Sequence, residues 1–267
     1  MLLAEVGYAR PASLAEAIRL LQENEGARAL AGGQTLINVM KARAGSPDAL
    51  IDLGGLEELR GIELGADGTL EIGAMTTYSE IIGSSEARAR PILGQVCAQI
   101  ADVQVRNRGT IGGNICTNDP TNHLPPLLAA LDARMTIAGR DGERTVGAAD
   151  FFLGVYLTAV ELGELLTKVT IPPGRHDGFA AVTLGVDGTC IVSAAASIDG
   201  SLTVALGCVD AVPVVLEPGS SDADAVRAAV RGATFEPPSD VHASAAYRRH
   251  LAEVLAVRAA RQAEGGS

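Results

Sequence analysis

The chain has 267 residues, 47% of them hydrophobic and only 3% aromatic, with no Trp. That is enough aliphatic material for a sizeable core, and more comfortably for two domains than for one. A formal net charge of −11 argues against a nucleic-acid partner, and no apolar run reaches the roughly 18 residues that suggest a membrane span.

The start, Met1-Leu2-Leu3-Ala4-Glu5, lacks the basic region and long apolar run of a secretory signal, so a cytoplasmic location is expected. Ser13-Leu14-Ala15-Glu16 forms a capping box. Leu14, Ile18 and Leu21 then recur at helical spacing, and Gly26 is placed as the left-handed residue that stops the helix. Residues 27–31 form a short buried strand that enters a first glycine turn, Ala31-Gly32-Gly33-Gln34-Thr35. Thr35 is expected to cap the next helix, Leu36 to Arg43, with Leu36, Val39 and Met40 as its apolar stripe. A strand that runs through two glycines into a helix start offers free N–H groups to an anion.

Residues 50–53 are expected as a strand, and residues 61–64 and 69–73 as a hairpin around Asp67-Gly68. Thr77-x-x-Glu80 opens a short helix, and Pro91 to Ile100 a longer one. The segment Val105-Arg106-Asn107-Arg108-Gly109 leads into a second glycine turn, Thr110-Ile111-Gly112-Gly113-Asn114. There Arg106 and Arg108 would place charge beside amides freed by Gly109, Gly112 and Gly113, an arrangement suited to a diphosphate. Irregular polar backbone is expected through Asn118, Asp119 and Pro120, then an apolar helix over 124–131. Strands at 134–138 and 143–146 flank an Asp141-Gly142 turn, and a strand at 164–171 ends at Pro172-Pro173-Gly174, the clearest domain boundary. Beyond it, runs at 179–186, 190–198 and 202–209 alternate with Asp187-Gly188 and Asp199-Gly200, a three-stranded antiparallel meander. Helices at 222–230 and 243–263 follow, the last with Tyr247, Leu251, Leu255 and Val257 on one face, before a frayed Glu264-Gly265-Gly266-Ser267 tail.

The first turn matches neither G-x-G-x-x-G nor the phosphate loop that ends in Gly-Lys-Ser/Thr. Cys97, Cys116, Cys190 and Cys208 show no paired spacing, so they read as free thiols rather than cluster or zinc ligands. His123 follows Asp119 and Asn122 without two further ligands for a metal, and His176, His242 and His250 read as solvent-facing. No nucleophile triad or carboxylate pair is legible, so any redox or transfer chemistry falls to a cofactor.

Four segments in order carry a family resemblance: Ala31-Gly32-Gly33-Gln34-Thr35-Leu36, Val105 through Asn114, Phe151-Phe152-x-Gly154, and Tyr247-Arg248-Arg249. The chain resembles, over nearly its whole length, the FAD-binding medium subunit of molybdenum hydroxylases, the family of carbon monoxide dehydrogenase, xanthine dehydrogenase and aldehyde oxidoreductases. The resemblance implies an α+β fold: an FAD-binding domain of the p-cresol methylhydroxylase or vanillyl-alcohol oxidase type over 1–173, in subdomains of about 1–54 and 55–173. A small domain with a three-stranded antiparallel sheet and helices would occupy 174–267. It implies that Ala31, Gly32, Gly33, Gln34 and Thr35 hold FAD together with Arg108, Thr110, Ile111, Gly112, Gly113 and Asn114. Asn118, Asp119 and His123 would face the cofactor, Leu166 would pack against it, and Ile100 stands where some members use an aromatic.

Several positions depart from the family. His123 replaces a frequent acid and Leu157 a frequent Arg. Thr183, followed by Val186-Asp187, stands where one branch sets a Lys and further basic residues beside the flavin, so the electron acceptor is left open. The function implied is an oxidoreductase subunit that takes electrons from a small partner carrying two [2Fe–2S] clusters and passes them to an external acceptor. Substrate oxidation would occur on a large molybdenum–pterin subunit, in a dimer of heterotrimers. Alternative readings are a stand-alone FAD oxidase of the vanillyl-alcohol type, whose large substrate domain residues 174–267 cannot hold, and a non-flavin scaffold subunit of the same fold.

Overall fold

The N-terminal lobe is a small parallel sheet with helices between its strands. In the computed structural model, which describes residues 3–174, 176–185 and 188–265, the lobe contains β1 (Gly7–Ala9), α1 (Leu14–Glu23), β2 (Ala27–Leu30), α2 (Leu36–Lys41) and β3 (Ala49–Asp52). The strand order is β1-β3-β2, with both pairings parallel. Ser13 caps α1 as expected, but Glu16 reaches back to the Ala12 N–H at 2.8 Å, one residue earlier than a closed capping box requires. Gly26 is not the left-handed terminator. The helix ends on extended Asn24, whose side chain accepts from the Gly26 N–H, and Gly26 lacks a side chain because Asp48 occupies the space. Thr35 makes no side-chain cap, and only Met40 of the expected stripe is buried.

The second lobe is a five-stranded antiparallel sheet covered by short helices. Its elements are β4 (Ile62–Leu64), β5 (Leu70–Gly73), α3 (Tyr78–Gly83), α4 (Ile92–Cys97), α5 (Val103–Arg106), α6 (Ile111–Thr117), α7 (Leu124–Ala130), β6 (Arg134–Gly139), β7 (Gly142–Gly147), α8 (Ala148–Phe151), β8 (Phe152–Gly154), β9 (Leu157–Thr158) and β10 (Leu165–Ile171). Strand order is β4-β5-β10-β6-β7, so the last strand in sequence lies at the centre. The Thr77 capping box is complete. The polar stretch expected to be irregular is helical through Thr117, and Asn118 then closes α6 in the left-handed conformation (φ 42°). All seven residues of α7 are buried, the mark of a helix covered on every side.

The C-terminal part holds β11 (Asp177–Leu184), β12 (Thr189–Asp199), β13 (Ser201–Gly207), β14 (Val214–Leu216), α9 (Ala223–Gly232) and α10 (Ala245–Ala263). The sheet has four antiparallel strands in sequence order; the sequence reading missed β14. Period-two alternation sorts its two faces. Ala195 and Ala205 join the apolar core of the second lobe, while Ala194, Ala196, Val204 and Leu206 join the core under α9 and α10. Tyr247 is not on the buried face of α10; it is 51% exposed, and Arg248 is buried in its place. The Arg248 guanidinium donates to the Ile191 carbonyl and to Asp240. Arg90 ties this part to the second lobe: its guanidinium donates to both oxygens of Asp177 (2.8 and 2.9 Å), to Ser197 Oγ (3.0 Å) and to the Pro172 carbonyl. Met1, Leu2, the Val186-Asp187 pair with its half of the expected turn, and Gly266-Ser267 of the expected tail lie outside the described residues.

Candidate functional site

The two glycine turns touch each other. A Cβ on Gly32 would lie 2.1 Å from the Arg108 carbonyl oxygen and 3.0 Å from Gly109 Cα, so only glycine allows the first turn to press against the approach to the second. Gly33 follows with φ +72°, and one placed on Gly113 would stand 3.5 Å from the Ala31 methyl. The first turn leaves β2 and enters α2; the second opens α6, which Thr110 caps by accepting from the Gly113 N–H at 3.0 Å. A cleft of about 580 Å³ runs between them.

The turns contribute differently. Among the described residues, the N–H groups of Gly32, Gly33, Gln34 and Thr35 have no protein acceptor. Those of the second turn are already used: Ile111 donates to the Thr76 carbonyl (3.0 Å), Gly112 to Ala74 (2.9 Å) and Asn114 to Thr110 (3.0 Å). The expectation that Gly109, Gly112 and Gly113 free their amides is therefore corrected. The helix start is docked on the end of β5, where a Cβ on Gly112 would come within 2.6 Å of the Ala74 carbonyl oxygen. The arginines are corrected too. Arg106 donates to the Ile100 and Ala101 carbonyls (2.9 and 2.6 Å), and the exposed Arg108 is not among the lining residues.

Of the residues singled out in the sequence, Ala31, Gly32, Gly33, Gln34, Thr35, Ile100, Thr110, Gly112, Gly113, Asn114, His123 and Leu166 line the cleft. Arg108, Ile111, Asn118, Asp119 and Thr183 do not. Ile111 is fully buried in the core. Asn118 donates to the Gly154 and Leu157 carbonyls (2.7 and 3.2 Å), and Asp119 accepts from the Tyr156 hydroxyl (3.0 Å), so the pair anchors the β8–β9 hairpin. Thr183 is exposed on β11, although Gly188 and Thr189 beyond it reach the cleft. Sequence reasoning missed Ala74, Met75 and Tyr78 from the end of β5 and the start of α3, along with Thr121, Asn122 and Leu165. Only adjacency to named residues could have pointed to Asn122 and Leu165.

The wall combines apolar and orphaned polar groups. Leu53, Ala74, Met75, Ile100, Leu165 and Leu166 supply the apolar part. His123 is 4% exposed, stacks on Phe179 with centroids 5.5 Å apart, and has no partner for Nε2. Burial pushes its pKa down to about 4 against an opposing backbone hydrogen bond at Thr121. Asn114 Oδ1 is also buried without a partner. Four consecutive free N–H groups suit a diphosphate, a close-approach glycine wall admits it, and an apolar wall with buried acceptors suits the remainder of a dinucleotide. FAD fits this set of residues.

Fold and cleft together define an FAD-binding α+β protein. The family described as the FAD binding domain in molybdopterin dehydrogenase matches residues 4–174. The carbon monoxide dehydrogenase medium chain of Afipia carboxidovorans is 37% identical, over 96% of this chain and 96% of that one. The glyceraldehyde dehydrogenase medium chain of Sulfolobus acidocaldarius is 34% identical, over 96% and 97%. A solved structure of carbon monoxide dehydrogenase from Hydrogenophaga pseudoflava, lacking the Mo-pyranopterin moiety of the molybdenum cofactor, superposes with a TM-score of 0.91 at 33% identity, over 99% of each chain. The chain belongs to the FAD-binding medium subunits of the molybdenum hydroxylases, oxidoreductase subunits that transfer electrons. Association with a molybdenum–pterin large subunit and an iron–sulfur small subunit is typical of this family. No helix among the described residues is long and apolar enough to cross a membrane.

Proposed function

We propose that this chain is the flavin station of a heterotrimeric molybdenum hydroxylase, present as a dimer of heterotrimers in the cytoplasm. Its partners are a large subunit with the molybdenum–pterin centre and a small one with two [2Fe–2S] clusters. Functionally, residues 1–173 are the FAD-binding part, in lobes 1–54 and 55–173, and residues 174–267 complete the subunit. When bound, FAD supplies a two-electron carrier between one-electron clusters and an external acceptor. The chain's own groups bind and orient it: the N–H groups of Gly32 through Thr35 face the diphosphate, and the Thr110–Asn114 helix start forms the opposite wall. Leu165, Leu166 and Ile100 exclude water from the apolar portion. Neither Asn118 nor Asp119 contacts the cofactor in this reading; they hold the hairpin behind it.

The observation that carries the reading is the run of four unpaired N–H groups against a glycine wall. Gly113→Val places a branched side chain between the turns without touching the Ala74 carbonyl on which Gly112 depends. Its Cβ also crowds the Thr110 Oγ1 that caps α6, at 2.9 Å, so the variant is expected to lose some thermal stability while remaining folded, and to purify without the visible flavin absorbance of the wild type. Full FAD occupancy in that variant would remove the site assignment. Purification of the untagged wild type with a cluster protein and a molybdenum-containing protein tests the assembly, and a yellow chain that never associates with either argues against it.

A further inference from the structure

Arg106 stands beside the second glycine turn in sequence, yet its charge is spent on the loop that leads from α4 to α5. One guanidinium nitrogen, Nη1, donates to two successive carbonyls, Ile100 at 2.9 Å and Ala101 at 2.6 Å. The approach is set by α5. The Asp102 side chain accepts from the Val105 N–H at 2.8 Å, and the Asp102 carbonyl accepts from the Arg106 N–H at 2.9 Å. The short helix thus brings the Arg106 side chain back to the residues that precede it.

That loop holds a conformation its sequence disfavours. The Gln99 and Ile100 N–H groups donate to the Val96 and Cys97 carbonyls (3.0 and 3.2 Å), so the chain keeps turning past the end of α4. Ala101 then reverses it with φ 43°. Glycine or asparagine usually takes this left-handed position at a helix end, because a Cβ there crowds the following carbonyl oxygen. A right-handed or extended Ala101 would swing its carbonyl relative to that of Ile100, so the pair of bonds from Nη1 is specific to the left-handed form. The cleft depends on the outcome, since Ile100, Ala101 and Val105 all line it. The C-terminal sheet packs on the same loop: a Cβ on Gly188 would stand 3.2 Å from the Gln99 carbonyl oxygen and 3.6 Å from the Ala101 nitrogen. Gly188 and Thr189 line the cleft as well, so a shift at Ala101 disturbs wall contributed by two parts of the fold.

Resting on the FAD reading above, we propose that Arg106 is a positioning residue for the cofactor. Its guanidinium holds Ala101 left-handed, and through that backbone keeps the Ile100–Ala101 wall and the neighbouring Gly188 in register with the bound dinucleotide. It acts on the protein's own carbonyls and does not neutralise the diphosphate.

The test is an FAD titration of the flavin-free full chain, read by quenching of flavin fluorescence, with the visible circular dichroism of the bound flavin recorded at saturation. Arg106→Met, which keeps the stem but no donor, is expected to weaken FAD binding about tenfold and to alter the dichroism. Ala101→Gly removes the side chain that resists the left-handed form. Arg106→Met with Ala101→Gly is therefore expected to return to within about threefold of the wild type and to the wild-type dichroism. An arginine that serves only stability would lower the melting temperature and leave the dichroism at saturation unchanged. One that binds phosphate would give a loss that glycine at position 101 does not recover. Either result overturns the proposal, as does unchanged affinity in Arg106→Met. If the methionine variant does not fold, two substitutions with the arginine intact decide. Ala101→Gly is expected to bind FAD as the wild type does, and Ala101→Val, whose β-branch resists a positive φ, about tenfold more weakly; equal binding by both overturns the proposal. A wild-type chain that binds no FAD instead overturns the FAD reading itself.

Discussion

At the scale of single residues, His123 makes the chain's stability depend on pH. Its imidazole is held neutral in the fold, with the pKa lowered by burial from 6.5 to about 4. The unfolded chain takes up that proton as pH falls through 6.5, and the folded chain only near 4, so the unfolded state binds more protons in between. The stabilisation is complete above the unfolded pKa and is lost progressively as pH falls to the folded one, by roughly 3 kcal/mol. Urea midpoints measured from about pH 7.5 to about pH 4.5 are expected to fall less steeply for His123→Gln than for the wild type. Parallel curves would show that His123 is not the group responsible. The same residue shows what single positions conceal in a sequence. A His after Asp119 and Asn122 invites a metal reading, yet Asp119 is engaged by Tyr156 and the imidazole is stacked on Phe179.

Among elements, the Arg90 clasp matters most. Its side chain is 4% exposed and that of Asp177 2%, so removing one partner strands a charge away from water. Arg90→Met is expected to destabilise the chain by about 3–5 kcal/mol, whereas Arg90→Met with Asp177→Leu should recover much of that loss. Thermal or denaturant unfolding of the two variants measures the difference. Nothing in the sequence paired these residues, because a buried ion pair depends on chain packing that local pattern does not encode. Elements with local punctuation were legible: the hairpin at Asp67-Gly68, the Thr77 capping box, and the strands around Asp141-Gly142 and Asp199-Gly200. Short elements without it were not. β1 and β14 have three residues each and take their identity from neighbours in a sheet. α6 starts Ile-Gly-Gly-Asn, against helix propensity, and forms because Thr110 caps it and the Thr76 and Ala74 carbonyls receive its first amides. The site was half legible for the same reason: the turns announce themselves, but Ala74, Met75 and Tyr78 enter through tertiary contact.

For the whole molecule, α7 decides how independent the parts are. It lies between the second lobe and the C-terminal sheet, in contact with β12 and β13, and Phe179, Ala195 and Ala205 share a core with Leu124, Leu127 and Leu128. Residues 3–174 alone would leave that apolar face open to water. The fragment is expected to aggregate or to bind a hydrophobic dye, and the full chain to unfold in one transition by calorimetry. Two well-separated transitions, or a monomeric fragment with a native melting profile, would contradict the shared core.

The central place of β10 also fixes an order of events during synthesis. Leu165–Ile171 pairs with β5 on one side and β6 on the other, so on the ribosome the second sheet stays open in the middle until residue 171 has emerged. Until then Leu165 and Leu166 are missing from the cleft, and so is the strand that positions Ala74 beneath Gly112 through the Ala74 N–H bond to Thr167. Both glycine turns are translated long before the surface between them exists. Flavin loading is therefore expected late in this chain's maturation, after the second lobe has closed.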